Sequence, residues 1–107
     1  MSFKIKQNDT SPLLQTTLTD PSGNAIDLSG CTIRFHMKRY KASTAKIDGS
    51  VTVVDEEGGV VRYAWQSGDT DTMGSYLAEF EVTYNDGTIE TFPNSGYIQV
   101  DVLGEIA

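Results

Sequence analysis

The stretch Gly74-Ser75-Tyr76-Leu77-Ala78-Glu79-Phe80-Glu81-Val82-Thr83-Tyr84, followed by Asn85-Asp86-Gly87, decides the fold. Tyr76, Ala78, Phe80, Val82 and Tyr84 alternate with residues of mostly polar character. A repeat of two residues is the signature of a strand with one face on a core. Asp86-Gly87 then reads as a type I′ hairpin turn, because that turn needs positive φ at its centre. The run Asp69-Thr70-Asp71-Thr72-Met73 leads into this strand. It is similar to the corner ahead of strand F in immunoglobulin-like domains, where a tyrosine hydroxyl bonds back to upstream backbone. Tyr76 is the residue placed for that bond.

The same period recurs on both sides. Phe3, Ile5 and Gln7 alternate with Lys4 and Lys6; Leu14, Thr16 and Leu18 form a second run. Cys31, Ile33, Phe35 and Met37 alternate with Thr32, Arg34, His36 and Lys38. Val51 and Val53, then Val61, Tyr63 and Trp65, flank a turn at Glu57-Gly58-Gly59. Ile89–Phe92 is short, and Ile98, Val100 and Val102 close the series. Asp20-Pro21-Ser22-Gly23-Asn24 is a further turn. Residues 40–50 lack alternation and read as a flexible loop. With 107 residues and almost no helical period, the chain predicts one domain over residues 1–107. The expected fold is all-β, an immunoglobulin-like antiparallel β-sandwich of about 7–8 strands, with Trp65 and Phe80 in its core.

Composition removes several function classes. One cysteine cannot form an internal disulfide, and one histidine is a poor start for a zinc site. No apolar run approaches the roughly 20 residues of a membrane span, and Met1–Lys6 does not read as a signal peptide, so synthesis in a cytoplasm is expected. A net charge of −7 speaks against nucleic acid as a partner. Residues 1–46 hold seven of the eight basic residues and three acids, while residues 47–107 hold one base against twelve acids. That asymmetry can steer association, unless strands from both halves interleave and mix the charge.

No catalytic set emerges. His36 falls on the polar phase of its run between Arg34 and Lys38, and Cys31 falls on the apolar phase, so a Cys–His dyad would need a strand irregularity. Glu79 and Glu81 share a strand face at a spacing of about 7 Å, which an inverting glycosidase pair can use. Alternating glutamates more commonly mark a solvated sheet face. Asp69 and Asp71 open like a calcium loop, but Met73 and Phe80 occupy later ligand positions. The expectation is therefore no enzyme, no metal and no cofactor. Three segments remain as interface candidates: the N-terminal strand with Phe3, Lys4, Ile5 and Lys6; the basic run with Lys38, Arg39, Tyr40 and Lys41; and the loop with Asp69, Asp71 and Met73. Tyr40, Tyr97 and Tyr84 lie near strand ends or loops, where tyrosine suits protein contacts or stacking on sugars.

The ordered strings carry a resemblance. Phe3-Lys4-Ile5-Lys6-Gln7-Asn8-Asp9-Thr10-Ser11-Pro12 is followed by Leu18-Thr19-Asp20 with Gly23, then by Ile26-Asp27-Leu28-Ser29-Gly30 and Thr32–Met37. Gly59–Trp65, Gly68-Asp69-Thr70, Gly74–Val82 and Asp86–Pro93 complete the series. Together, over about residues 3–100, they resemble the N-terminal domain of the phage baseplate upper protein (BppU) family. The resemblance implies an immunoglobulin-like sandwich in the virion tail, an attachment module that holds fibre or receptor-binding parts on the baseplate through protein–protein contacts. Its partners would be other virion proteins, and it would be oligomeric in the particle, where the uneven charge suits head-to-tail contacts. Family members often continue into a long C-terminal region. Ending at Ala107, the chain reads as a small complete tail protein or a stand-alone anchor. Two other readings are a head or neck decoration protein and a carbohydrate-binding module for the host surface.

Overall fold

The computed structural model describes residues 2–106, and they contain strands, turns and loops but no helix. The strands are β1 (Ser2–Lys6), β2 (Leu14–Thr17), β3 (Thr32–Arg39), β4 (Ile47–Ser50), β5 (Thr52–Asp55), β6 (Val60–Tyr63), β7 (Gly74–Thr83), β8 (Ile89–Phe92) and β9 (Ile98–Leu103). They form two sheets. The larger has the order β1-β9-β7-β3-β4, with β8 also paired to β7; the smaller has the order β2-β6-β5. The fold is an immunoglobulin-like β-sandwich with nine described strands.

Strand β7 organises the larger sheet. It pairs with β3 along Tyr76–Thr83, with β9 through Gly74–Ala78 and with β8 through Phe80–Thr83. Its inward residues Tyr76, Ala78, Phe80 and Val82 are all buried, as their alternation requires. Opposite them, Phe35 of β3 stacks on Tyr63 of β6 with ring centroids 4.3 Å apart. Phe35 also meets Trp65 edge-on at 5.9 Å and Phe80 at 5.2 Å. This aromatic cluster joins the two sheets, and offset or edge-on rings gain from their quadrupoles beyond simple burial. The Trp65 indole N–H donates to the Pro12 carbonyl at 3.1 Å, so its one polar atom is satisfied.

The tyrosine corner is present. The buried Tyr76 hydroxyl donates to the Thr72 carbonyl at 2.6 Å. It ties the start of β7 to the preceding loop. Tyr76→Phe should cost about 1 kcal/mol, the net contribution of one partly buried hydrogen bond. Urea unfolding at unchanged m-value checks this.

Three features depart from the sequence reading. Strand β1 runs parallel to β9, so the larger sheet is mixed rather than wholly antiparallel. Residues 40–50 are not all loop, because Ile47–Ser50 form β4 on the edge of β3. Alternation is hidden there by Gly49, which lies beneath the Tyr63 ring; a Cβ on Gly49 would fall 2.7 Å from Tyr63 Cε1. The turn at Asn85-Asp86-Gly87 is also not type I′. Gly87 alone of the three has positive φ (87°), its N–H donates to Tyr84 O, and Tyr84 N–H donates to Thr88 O. That is a type I turn closed by a glycine bulge. Asp86 Oδ1 accepts from the Thr88 N–H and hydroxyl, which stabilises this geometry instead.

Candidate interaction surface

Strand direction sorts the charges. Strands β1 and β9 end at Lys6 and Leu103, β3 ends at Arg39, and β7 begins at Gly74. These termini lie at one end of the sandwich. The loops that leave them are stitched together. Tyr40 N–H donates to Ser75 O at 2.9 Å, and Lys46 Nζ donates to Asp71 Oδ1 at 2.7 Å. The Gln7 side-chain amide donates to Asp71 O at 2.8 Å, and Asn8 N–H donates to Thr70 O at 2.9 Å. The Thr70 hydroxyl, itself buried, donates to Asp9 O at 2.8 Å.

The end so built is apolar and cationic at once. Tyr40 is 59% exposed and Met73 57% exposed, and Leu103 is exposed beside them. The Arg39 guanidinium packs over Gly74, where a Cβ would fall 3.0 Å from Nη2. Lys41 Nζ lies 5.6 Å from the Tyr40 ring centroid, a cation–π distance. Lys6 and Lys46 add charge. Exposed Tyr, Met and Arg are the residues enriched at protein interfaces.

The opposite end carries the β5–β6 and β7–β8 turns and the loop before β3. Asp27, Asp55, Glu56, Glu57 and Asp86 sit there, with no Lys or Arg in those turns and loop. The turns of this end are thus acidic, while the mixed end sets Lys6, Arg39, Lys41 and Lys46 beside Asp9, Asp71 and Glu105.

The three interface segments read from the sequence fare differently. Lys6, Arg39, Tyr40, Lys41, Asp71 and Met73 come together at the mixed end. Phe3, Lys4 and Ile5 do not. Phe3 packs on Trp65 at 5.8 Å, Ile5 is buried, and Lys4 pairs with Asp101 at 3.2 Å on the sheet. Lys38 points to the outer face of the larger sheet beside Leu77 and Glu79. Asp69 is committed internally, accepting from the Tyr63 hydroxyl at 2.5 Å and the Gln66 N–H at 2.8 Å. Burial and then this Asp69 contact raise the Tyr63 pKa. Tyr84 is likewise engaged, donating to Glu90 Oε1 at 2.6 Å. Sequence reasoning missed Lys46 and Leu103. Lys46 was hidden by the unread β4, whereas Leu103 was legible as the next outward position after Val102.

The chemistry-bearing residues stay apart. Register between β3 and β7 is unbroken from Thr32 to Arg39, so Cys31 and His36 keep opposite phases. Burial first, then Asp27 and Glu56, raise the Cys31 thiol pKa, which suppresses the nucleophilic thiolate. His36 is not ringed by cations: its Nε2 lies 3.2 Å from Asp48, and Glu79 stands opposite across the sheet. Glu81 stands opposite Arg34.

Asp71 links two of the assembled loops electrostatically. The Lys46 ammonium, then the Thr72 hydroxyl, hold its carboxyl below the ordinary value of 3.8. A lowered carboxylate favours the folded state above that ordinary value, and the contribution disappears as pH falls through the lowered one. Acidification below about pH 4 should thus lower the melting temperature, and Asp71→Asn should flatten part of that dependence. Thermal melts of both proteins across pH 2–7 make the comparison.

Residues 2–93 match the family model described as the BppU N-terminal domain. The chain belongs to the BppU N-terminal domain family. Membership makes it a structural protein associated with the phage tail baseplate. No curated protein matches the chain. Among solved structures, the crystal structure of CopC from Methylosinus trichosporium OB3b is similar, with a TM-score of 0.55. It is 12% identical over 99% of this chain and 87% of that one, a likeness of fold alone.

Proposed function

We propose that this BppU-type domain is an attachment module that fastens fibre or receptor-binding parts to the baseplate through its mixed end. One observation carries the reading: loops from distant parts of the chain converge there and expose Tyr40, Met73 and Arg39 side by side. Rigid strands hold those loops, so little ordering entropy is spent on docking. The acidic opposite end complements the cations of the mixed end, which supports end-to-end contacts between copies in the particle.

Immunogold electron microscopy of purified particles tests the placement. Label at the tail tip supports the attachment reading. Label on the head or neck, or none with an antibody shown to reach its epitope, overturns it.

A further inference from the structure

Two clefts on the flank of the sandwich share a single exposed aromatic. Tyr97, 53% exposed, lies in the connection between β8 and β9 and lines both of them. The first cleft, about 360 Å³, runs between β2 and this connection. Its lining includes the hydroxyls of Thr17, Thr19 and Ser95, which make no side-chain hydrogen bond within the described residues. The second cleft, about 300 Å³, lies on the outer face of the larger sheet. It offers Lys38, Glu79 and the His36–Asp48 pair around Leu77.

We infer that Tyr97 and its two flanking clefts form a binding site for a neutral oligosaccharide. The negative face of the tyrosine ring suits the partly positive C–H face of a pyranose. One sugar stacked on Tyr97 places its neighbours in the two clefts, where hydroxyl, amide and carboxylate groups meet ring hydroxyls. Each cleft lies near the lower bound of small-ligand sites, consistent with short segments of a chain. The lining excludes other classes. Lys38 and His36 are balanced by Asp48 and Glu79, so no cationic cradle awaits phosphate or sulfate. Asp20 in the first cleft is turned to its own loop, accepting from the Ser22 and Asn24 N–H groups. Neither cleft presents the deep apolar pocket that anchors a protein hot spot. The first cleft has no residue of the mixed end in its lining, whereas the second reaches Ala45 of the β3–β4 loop that leads to that end.

The test is a titration of the isotope-labelled domain with chitotetraose, maltotetraose and a rhamnose tetrasaccharide, followed by NMR. Saturable shifts at Thr17, Thr19, Ser95 and Tyr97 with any of the three, at millimolar or lower concentration, are expected. Tyr97→Ala should weaken that binding by about tenfold. Tyr97→Phe, which keeps the ring face, and Tyr40→Ala, at the mixed end, should both retain it. Absence of saturable shifts with all three sugars overturns the site. So does binding that Tyr97→Ala leaves intact, or shifts that map to a protein-like contact at the mixed end instead.

Discussion

Phe35→Ala should be the most damaging single substitution in the sandwich, costing about 3–5 kcal/mol. Phe35 is fully buried and touches rings from both sheets: Tyr63 and Trp65 on one side, Phe80 on the other. Its removal leaves a cavity between layers that rigid strands cannot close, so the cavity adds to the lost transfer energy. A domain of this size has roughly 5–15 kcal/mol to lose, so a large share of its stability goes. The melting temperature should fall by more than about 12 °C. Phe35→Leu, which keeps most of the volume, should cost markedly less. Equal losses in the two variants, measured by calorimetry, would show that the aromatic contacts do not join the sheets.

Reversing the charge at the mixed end should break attachment while leaving the fold intact. Arg39 and Lys41 are exposed, and neither forms an ion pair among the described residues. The double variant Arg39→Glu, Lys41→Glu should therefore melt within a few degrees of the parent, as surface changes generally do. Its incorporation into particles should drop by about 30-fold or more, the effect of about 2 kcal/mol or more at a charge-complementary contact. Quantitative mass spectrometry of particles assembled with the variant in place of the parent measures this. Binding that remains should fall further as ionic strength rises past about 0.15 M, where the Debye length is ~8 Å. A matched reversal at the other end, Glu56→Lys with Glu57→Lys, separates the two poles. If particles lose both variants alike, end-to-end contact between copies is the better account; if only the first, the mixed end meets a different protein.

Much of the fold was legible because a half-buried strand writes its own period. Eight of the nine strands left alternation or a turn in the chain, and the Tyr76 corner could be named before its Thr72 acceptor was seen. What escaped had local causes. The sequence around β4 carries Gly49 where an inward side chain was expected, since the Tyr63 ring fills the space. The Asp-Gly hairpin took a bulged type I form because Asp86 bonds to Thr88 more directly than a two-residue turn allows. The direction of β1 was invisible, because alternation is the same in parallel and antiparallel pairs.

By itself the sequence determined the layer architecture and the inward faces of the strands. Those follow from periodicity and residue type, which are local or countable. Only the tertiary structure decided where the interface candidates meet. Strand direction carries Lys6, Arg39 and Gly74 to one end, although 33 positions separate the first two in the chain and 35 the last two. The same geometry buries Ile5 and frees Tyr97. Charge counted along the chain divides by halves, while in space the turns of one end are acidic and the other end mixes both signs. The reason is that each strand traverses the sandwich, so neighbours in sequence part company within a few residues and distant loops become a single surface.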